Sequence, residues 1–284
     1  MTNAPGKLYI VATPIGNLED ITLRALRILK EVSLIAAEDT RRTRILLNHY
    51  GIEAPLTSLY EQNEALKSAF LLRQLQEGKS MAYVTDAGTP AISDPGYLLV
   101  RHAIEAGIDV IPIPGVSALI TALCAAGLPT DHFVFHGFLS AKAAKRKTTL
   151  QALAQDTRTQ IFYESPNRLA TTLHIMKEIL GNRYIVVARE LTKMHEEFIR
   201  GDLYDVLASL NERDIKGEVT LIVKGYQAQA ITNIHQAIME CYDKCSAEKE
   251  LSKRDIVDHI ARELDLSRKI VYDTVHQTTA NMEE

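Results

Sequence analysis

The stretch MAYVTDAGTPAISDPGYLLVRHAIEAG (residues 81–107) joins an apolar run, a loop rich in glycine, proline and aspartate, and a segment with helical spacing of apolar residues. Three other apolar runs are likewise followed by a loop and a segment with helical spacing: LYIVAT (8–13), SLIAA (33–37) and DVIPIPG (109–115). Thr40 stands where it could cap the second of these helices. Repeated βα units predict an α/β fold with a mostly parallel sheet. Ligands of such sheets bind at the carboxyl ends of the strands, where these loops gather.

The loops lack the common phosphate-binding patterns. The first strand is not followed by G-x-G-x-x-G, no G-x-x-x-x-G-K-[ST] occurs, and the segments TPIG, DAGTP and PIPGVSA contain no lysine or arginine. They offer backbone amides with hydroxyls and carboxylates: Thr13, Thr89, Ser93, Ser117, Asp86 and Asp94. These groups suit a small ligand that carries positive charge, hydroxyls and an aromatic face. S-adenosyl-L-methionine meets that description, as do many other metabolites, and each loop alone reads equally well as an ordinary tight turn.

Charge has to be read locally in this chain. With 284 residues, 46% of them hydrophobic, it is long enough for two domains, and its formal net charge of -4 argues against a uniformly cationic nucleic-acid binder. Two basic clusters nevertheless fit contacts with RNA phosphates: Arg41, Arg42 and Arg44 in the first, and Lys142, Lys145, Arg146 and Lys147 in the second. A solvated helix start explains the second cluster as well, and a corrin rich in carboxylates would also match these charges.

Localisation and metal content follow from simpler features. The apolar run near the amino terminus is broken by Pro14 and is too short for a signal peptide or a membrane span, so we expect a cytoplasmic protein with no membrane contact. Cys124, Cys241 and Cys245 include no C-x-x-C pair, and the histidines are scattered. We expect no metal site.

The second half of the chain predicts another α/β domain and a tail. Its expected strands are FVFHGF (133–138), QIFYES (160–165), YIVVARE (184–190) and VTLIVKG (219–225). The connection GLPTDHF (127–133) places a boundary, which predicts domains at 1–127 and 128–227 and a helical tail at 228–284.

In the tail, a polar, linker-like stretch (226–236) precedes two amphipathic segments. Ser252 can cap the first, whose apolar residues are Ile256, Val257, Ile260 and Leu264; a turn at Leu266 and Ser267 leads to the second, through Ile270, Val271 and Val275. This pattern is typical of a helix-turn-helix. A packing module for a dimer and an RNA contact explain it equally well.

Seven motifs, in this order and spacing, resemble the ribosomal RNA small subunit methyltransferase I family of the tetrapyrrole methylase superfamily: LYIVATPIGNLEDIT, LIAAEDTRRT, VTDAGTPAISDPGY, IPIPGVSALITALCAAGLP, IFYESPNRL, VARELTKMHEE and KGEVTLIVKG. The resemblance covers about residues 6 to 225. It implies two α/β domains, usually in a homodimer, and methylation by S-adenosyl-L-methionine of the ribose 2'-hydroxyl of a cytidine in the decoding region of 16S rRNA, within the 30S subunit.

The resemblance also implies which residues line the cofactor. From the first domain these are Pro14, Ile15, Asp86, Gly88, Thr89, Ser117 and Ala118; from the second they are Phe162, Tyr163, Leu191, Gly217 and Glu218. The chain has Ala12-Thr13-Pro14-Ile15-Gly16-Asn17 and Ala87-Gly88-Thr89-Pro90 where porphyrin-modifying relatives tend to carry G-x-G-x-G-D and G-G-D-P. This difference favours the rRNA branch over a corrin or porphyrin substrate.

A ribose hydroxyl is a poor nucleophile while protonated, so a general base or a stabilising cation would assist the transfer. Glu190 is the first expectation for the base, with Lys193 as its electrostatic partner, and Asp39 and Glu164 are further carboxylates to consider. Each of these carboxylates could instead be a helix cap or half of a salt bridge, and the reaction could proceed without a base. A methyltransferase of small molecules and a non-catalytic RNA-binding protein are the alternative functions.

Overall fold

The computed structural model describes residues 4–210, 213, 215–227, 234–247, 252–264 and 266–280. The chain divides into two compact units, Met1–Tyr226 and Gln227–Glu284. The finer division into domains at 1–127, 128–227 and 228–284 remains a prediction. Among the described residues, no helix is long and apolar enough to cross a membrane.

The first sheet is parallel throughout, as the βα pattern predicts. Its strands are β1 (Leu8–Val11), β2 (Leu34–Ala37), β3 (Leu56–Ser58), β4 (Met81–Val84) and β5 (Val110–Ile113), in the order β3-β2-β4-β1-β5. The helices between and after them are α1 (Leu23–Glu31), α2 (Thr40–His49), α3 (Glu64–Gln76), α4 (Tyr97–Glu105) and α5 (Ala118–Ala126).

Both faces of this sheet are covered, because alternate residues of each strand point to opposite sides. In β4, Ala82 and Val84 pack with the cluster that holds the apolar faces of α1 and α2. Met81 and Tyr83 pack on the other side, with side chains of α3 and α4. Burial on both faces explains why the strands read as short, continuous apolar runs.

The start of α2 corrects the cap expected at Thr40. The side chain that caps α2 is Asp39, which accepts a hydrogen bond from the Arg41 N–H at 2.8 Å, whereas Thr40 is already the first helical residue. Thr22 caps α1 in the same way, by accepting from the Ala25 N–H at 3.1 Å. The cap needs an acceptor one residue before the first helical turn, and Asp39 has that position.

The second sheet is mixed. Its strands are β6 (Phe133–Phe138), β7 (Thr159–Glu164), β8 (Tyr184–Arg189), β9 (Glu197–Asp202) and β10 (Val219–Val223), in the order β6-β7-β10-β8-β9, with only β6 and β7 parallel. The helices α6 (Ala143–Ala152), α7 (Pro166–Leu180) and α8 (Leu203–Leu210) belong to this half. Side chains of all three pack on one face of the sheet, and α5 packs on the other with Ile15 and Leu191. Helix α5 therefore brings the loops of the first sheet against the second.

The described part of the tail contains three helices where two were expected: α9 (Ile234–Ala247), α10 (Lys253–Glu263) and α11 (Arg268–Ala280). The linker reading of 226–236 is wrong from Ile234 onward, since α9 begins there; residues 228–233 lie outside the described part. Ser252 caps α10 as expected. Ile238, Ile256, Val257, Ile260 and Val271 share one core, whereas Ile270 is largely exposed.

Candidate active site

A cavity of about 450 Å³ lies where the carboxyl-end loops of the first sheet meet the second sheet. Small-molecule sites generally fall in this range of volume. The expected cofactor residues that line it are Ile15, Asp86, Gly88, Thr89, Ser117, Ala118, Tyr163, Leu191, Gly217 and Glu218.

Pro14 and Phe162 do not line the cavity. Pro14 is buried beside Ile15. Phe162 is 1% exposed and packs among the side chains of α6, α7 and α8. Its neighbour Tyr163 points the other way, because successive strand residues alternate between the two faces of a sheet.

Two hydrogen-bonded contacts hold the loops of the first sheet together at the cavity. Thr13 and Gly88 exchange backbone hydrogen bonds, each N–H donating to the other carbonyl at 2.9 Å. Gly88 has a φ of +81°, a backbone conformation that glycine adopts readily and residues with a Cβ adopt rarely. The Thr89 hydroxyl donates to the Val116 carbonyl at 3.0 Å, which joins the loop after β4 to the loop after β5.

One wall of the cavity is acidic. Glu38, Asp86 and Asp94 line it together with Arg42, whose guanidinium lies 3.4 Å from the Asp86 carboxylate. Asp86 also accepts a hydrogen bond from the Asp39 N–H at 3.0 Å, and its own N–H donates to Glu38 at 3.3 Å. The loops after β2 and β4 are thus bonded to each other through their carboxylates.

Burial raises the pKa of Asp94 to about 6; the charges of Glu38 and Asp86 act in the same direction, and the nearby Thr85 side chain opposes them. Burial also raises the pKa of Glu38. The hydroxyls of Tyr83 and Tyr163 lie within range of the Asp94 charge. A carboxyl whose pKa lies near neutrality is a better proton acceptor than one with an ordinary pKa.

The loop that carries Asp94 is held in a strained conformation. Ala91 and Ser93 have φ values of +67° and +66°, and residues other than glycine lose about 1–2 kcal/mol each in that region. The far end of the loop is anchored by Glu64, whose Oε1 accepts from the backbone N–H groups of Gly96 at 3.0 Å and Leu98 at 2.9 Å. The buried Glu64 side chain therefore caps α4 from a neighbouring helix.

An ion pair lies behind the opposite wall: Glu218 lines the cavity, whereas the expected base Glu190 and its partner Lys193 do not. The Lys193 ammonium lies 2.9 Å from Glu190 and 3.1 Å from Glu218, and Glu190 also accepts a hydrogen bond from the Glu218 N–H at 3.1 Å. The hydrogen bond from Lys193 lowers the pKa of Glu190. Burial lowers the pKa of Lys193, but its hydrogen bonds to the two carboxylates outweigh that effect and raise it. Both groups are thereby held in their charged forms.

A further contact links this wall to the first loop. The Asn17 N–H donates to the Thr192 hydroxyl at 3.1 Å. A Cβ on Gly16 would overlap the side chain of Lys193, so only glycine permits this approach. Glu190 and Thr192 themselves have positive φ values, +49° and +65°. Such strain is typical of functional loops.

Asp39 lies beside the cavity but does not line it. Its carboxylate caps α2 and pairs with the Arg41 guanidinium at 2.6 Å. The hydrogen bond from the Arg41 side chain lowers the pKa of Asp39 to about 2.

The chain is similar to known proteins over most of its length. A family model described as Tetrapyrrole (Corrin/Porphyrin) Methylases matches residues 7–207. A protein named Ribosomal RNA small subunit methyltransferase I, from Escherichia coli O157:H7, is 54% identical over 230 residues, which are 80% of this chain and 80% of the relative. The chain belongs to the ribosomal RNA small subunit methyltransferase I family of the tetrapyrrole methylases.

Relatives in this methyltransferase family also match nearly the full length. The protein of the same name from Bacillus subtilis (strain 168) is 43% identical over 275 residues, covering 95% of this chain and 94% of the relative. Among solved structures, the methyltransferase CobJ has a TM-score of 0.59 at 20% identity, with 80% of this chain and 97% of that chain covered. A uroporphyrin-III C-methyltransferase from Thermus thermophilus, complexed with S-adenosylhomocysteine, has a TM-score of 0.55 at 18% identity, with 77% and 97% covered. These two likenesses support the fold.

In this member of the methyltransferase family, the first basic cluster is divided between two sites. Arg41 is paired with Asp39, and Arg42 turns into the cavity towards Asp86. Arg44 lines a separate, open groove with Arg41 and the hydroxyl residue Ser58. Arg41 and Arg44, which line the open groove, have positions suited to phosphate contacts, whereas Arg42 does not.

The second cluster is divided too. Lys142 and Lys145 are exposed at the start of α6. Lys147 pairs with Glu178 at 3.2 Å. Arg146 is 3% exposed and packs inward, and its Nε and Nη1 have no hydrogen-bond partner among the described residues. Helical periodicity turns every third or fourth residue of a basic run toward the core, which accounts for the position of Arg146.

Glu164 contributes to the cavity wall, but its oxygens already have partners. The carboxylate pairs with Arg168 at 2.6 Å and accepts hydrogen bonds from the Thr172 hydroxyl at 2.6 Å and from the Ser165 N–H at 2.7 Å. Glu164 therefore anchors the start of α7 to the end of β7.

Sequence reasoning missed Glu38 and Glu64. Glu38 directly follows β2, so its place at a strand's carboxyl end was a signal for a cavity residue. Glu64 carries no such signal, because the N–H groups that it accepts from are more than thirty residues away in the chain. In the part of the chain that the structure describes, no group of His, Cys, Asp or Glu side chains could hold a metal ion.

Proposed function

We propose that this chain transfers a methyl group from S-adenosyl-L-methionine to the ribose 2'-hydroxyl of a cytidine in 16S rRNA, within the 30S subunit. The observation that carries the proposal is the carboxylate-lined cavity of about 450 Å³, in a chain 54% identical to a ribosomal RNA small subunit methyltransferase I. When bound, the cofactor supplies an electrophilic methyl group on a positively charged sulfur.

The residues present fit that cofactor. The carboxylate of Asp86, half-buried on the acidic wall, suits a ligand with a sulfonium and an ammonium group. Gly88 brings the backbone close to the cavity with its positive φ, and the apolar side chains of Ile15 and Leu191 suit an aromatic base. The expected contacts at Thr89, Ser117, Ala118, Tyr163, Gly217 and Glu218 belong to this proposal, as do Pro14 and Phe162 in a supporting position behind the wall.

A direct test of this assignment is Asp86→Ala. We expect cofactor affinity to fall at least about tenfold in calorimetry, because the variant removes a charge-assisted contact worth about 1.5–3 kcal/mol. Asp109→Ala is the matched control, since Asp109 precedes β5 at the other edge of the same sheet. Unchanged affinity in the Asp86 variant would remove this residue from the cofactor site.

Activation of the acceptor hydroxyl takes one of two forms. In the first, Glu190 is the base, with Lys193 as its partner, while Asp39 orients the neighbouring helix start. In the second, Asp94 is the base. The pKa directions favour Asp94, because Lys193 lowers the pKa of Glu190, whereas burial raises that of Asp94 to about 6.

RNA contacts are assigned to the exposed members of the basic clusters. Arg41, Arg44, Lys142 and Lys145 would meet phosphates directly, and Lys147 would do so from its pair with Glu178. Arg42 acts inside the cavity, and Arg146 supports α6 from within. The proposal further includes a homodimer and a cytoplasmic location.

The deciding experiment is methyl transfer from radiolabelled S-adenosyl-L-methionine to purified 30S subunits that lack their own modifications. Nuclease mapping and mass analysis then locate the label. Label on a 2'-O-methylated cytidine is the expected result. No label on 30S subunits, free rRNA or tRNA, with cofactor binding intact, would overturn the proposal and move the substrate to small molecules such as tetrapyrroles.

A further inference from the structure

Phe138 is an aromatic residue that the fold exposes at the cavity. It lines the cavity wall, yet 57% of its surface is accessible. An exposed phenylalanine gives up the free energy of burying its ring, about 1.5–3 kcal/mol. The last residue of β6 therefore needs a reason to face outward.

A β-bulge turns Phe138 toward the cavity. Phe135 lies opposite Ile161 and Phe138 opposite Tyr163, so three steps along β6 match two along β7. Strict alternation would have put Phe138 on the side opposite Phe135, but the extra residue brings both rings to the same side. Gly137 permits the bulge with its φ of +63°.

The ring rests on a support that is itself fixed. Its centroid lies 5.5 Å from that of Tyr163, and Phe135 meets the same tyrosine edge-on at 4.8 Å. The Tyr163 hydroxyl accepts a hydrogen bond from the Leu119 N–H at 3.2 Å, in the first turn of α5. Phe138 thus has aromatic neighbours on the protein side and open space on the other.

The surroundings match a strand of nucleic acid. The exposed Lys142 and Lys145 follow in the same connection, at the start of α6. A planar ring beside cationic side chains is how proteins hold unpaired bases, with the base on the ring and the phosphates on the lysines. Proteins that recognise RNA by sequence mostly do so at single-stranded segments, whose unstacked bases are free to pack on aromatic side chains.

We infer that Phe138 is the stacking platform for an unpaired base of the RNA substrate, at or next to the modified nucleotide. The inference rests on the proposed function and deepens it, since it assigns the cavity mouth to RNA and leaves the interior to the cofactor.

The test compares substitutions at Phe138 in the full chain, with methyl transfer to 30S subunits and cofactor affinity measured in parallel. Phe138→Ala and Phe138→Leu should both lower kcat/KM about tenfold or more, because neither side chain offers a flat ring. Phe138→Trp and Phe138→Tyr should stay within about threefold of the unchanged chain, because both keep the ring. Cofactor affinity should be unchanged in all four.

Phe133→Ala is the matched control, because Phe133 lies on the same strand, is 39% exposed and does not line the cavity. The platform is overturned if Phe138→Ala behaves like Phe133→Ala, if leucine restores full activity, or if cofactor affinity falls together with activity, which would assign the ring to the adenine. Failure of the unchanged chain to methylate RNA would overturn the proposed function, and the platform with it.

Discussion

The two sides of the cavity are built on carboxylates in opposite electrostatic states. On the first-sheet wall, Asp94 lies close to Glu38 and Asp86, and burial raises its pKa to about 6. On the second-sheet side, Glu190 lies behind the wall formed by Gly217 and Glu218, and its hydrogen bond from Lys193 lowers its pKa. Environments that push the pKa values of two carboxylates in opposite directions assign the two groups different roles. Asp94 is suited to accept a proton near neutrality, whereas Glu190 is suited to remain a fixed charge.

The largest expected effect comes from removing the proton acceptor. Asp94→Asn should lower kcat for methyl transfer about 100-fold or more, since general bases contribute factors of about 10²–10⁴. Glu190→Gln should lower it about tenfold, because it loosens a held loop without removing a base. Single-turnover rates with saturating cofactor and 30S subunits measure both.

The pH dependence of the rate further distinguishes Asp94 from Glu190 as the general base. A base with a pKa of about 6 must lose its proton to act, so the rate of the unchanged chain should rise with pH and level off above about pH 6. That limb should vanish in Asp94→Asn and persist in Glu190→Gln. The reverse ranking, with Glu190→Gln the more damaging variant, would make Glu190 the base.

Gly217, which lines the cavity, packs directly against the Glu190 carboxylate. A Cβ on Gly217, at φ +84°, would overlap the Glu190 carboxylate. Gly217→Ala should therefore lower the free energy of unfolding by about 2–3 kcal/mol, from backbone strain and the collision together. Gly127→Ala is the control: Gly127 has φ +74° with nothing within 4 Å, so only strain of about 1–2 kcal/mol remains.

Denaturant unfolding of the two glycine variants gives the difference directly. Equal losses would mean that Glu190 moves aside freely and that its wall is not rigid. A larger loss of unfolding free energy for Gly217→Ala, accompanied by weaker cofactor binding, would show that Glu190 is held rigidly. Such a result would sharpen the contrast with the titratable Asp94.

The sequence predicts the sheet core well, because strands buried on both faces leave short apolar runs bounded by turn residues. It does not reveal β3, which has three residues, or β9, an edge strand whose charged residues interrupt alternation. It also cannot show that Arg146 packs inward or that a bulge redirects Phe138, since both depend on packing and register. The motifs indicate most of the cavity residues, but the contact of Glu38 with Asp86 exists only in the folded sheet.

The smallest expected effect is on stability, and it follows from the same raised pKa. Folded Asp94 titrates at about 6 and an ordinary aspartate at 3.8, so between these values the folded state holds a proton that the unfolded state has lost. Its contribution to stability therefore falls as pH rises through this window and is fully unfavourable above it.

Asp94→Asn removes that charge. After allowance for solvent screening, the gain should be about 1 kcal/mol near neutral pH, or about 2–4 °C in the melting temperature, and close to zero at about pH 4. Asp109→Asn, at a side chain that is 73% exposed, is the matched control. A variant that melts higher while it loses activity would mark Asp94 as a group kept for chemistry at a cost in stability. A melting temperature that falls at neutral pH would show that the ionised Asp94 stabilises the folded state, and the contrast between the two sides of the cavity would lose its basis.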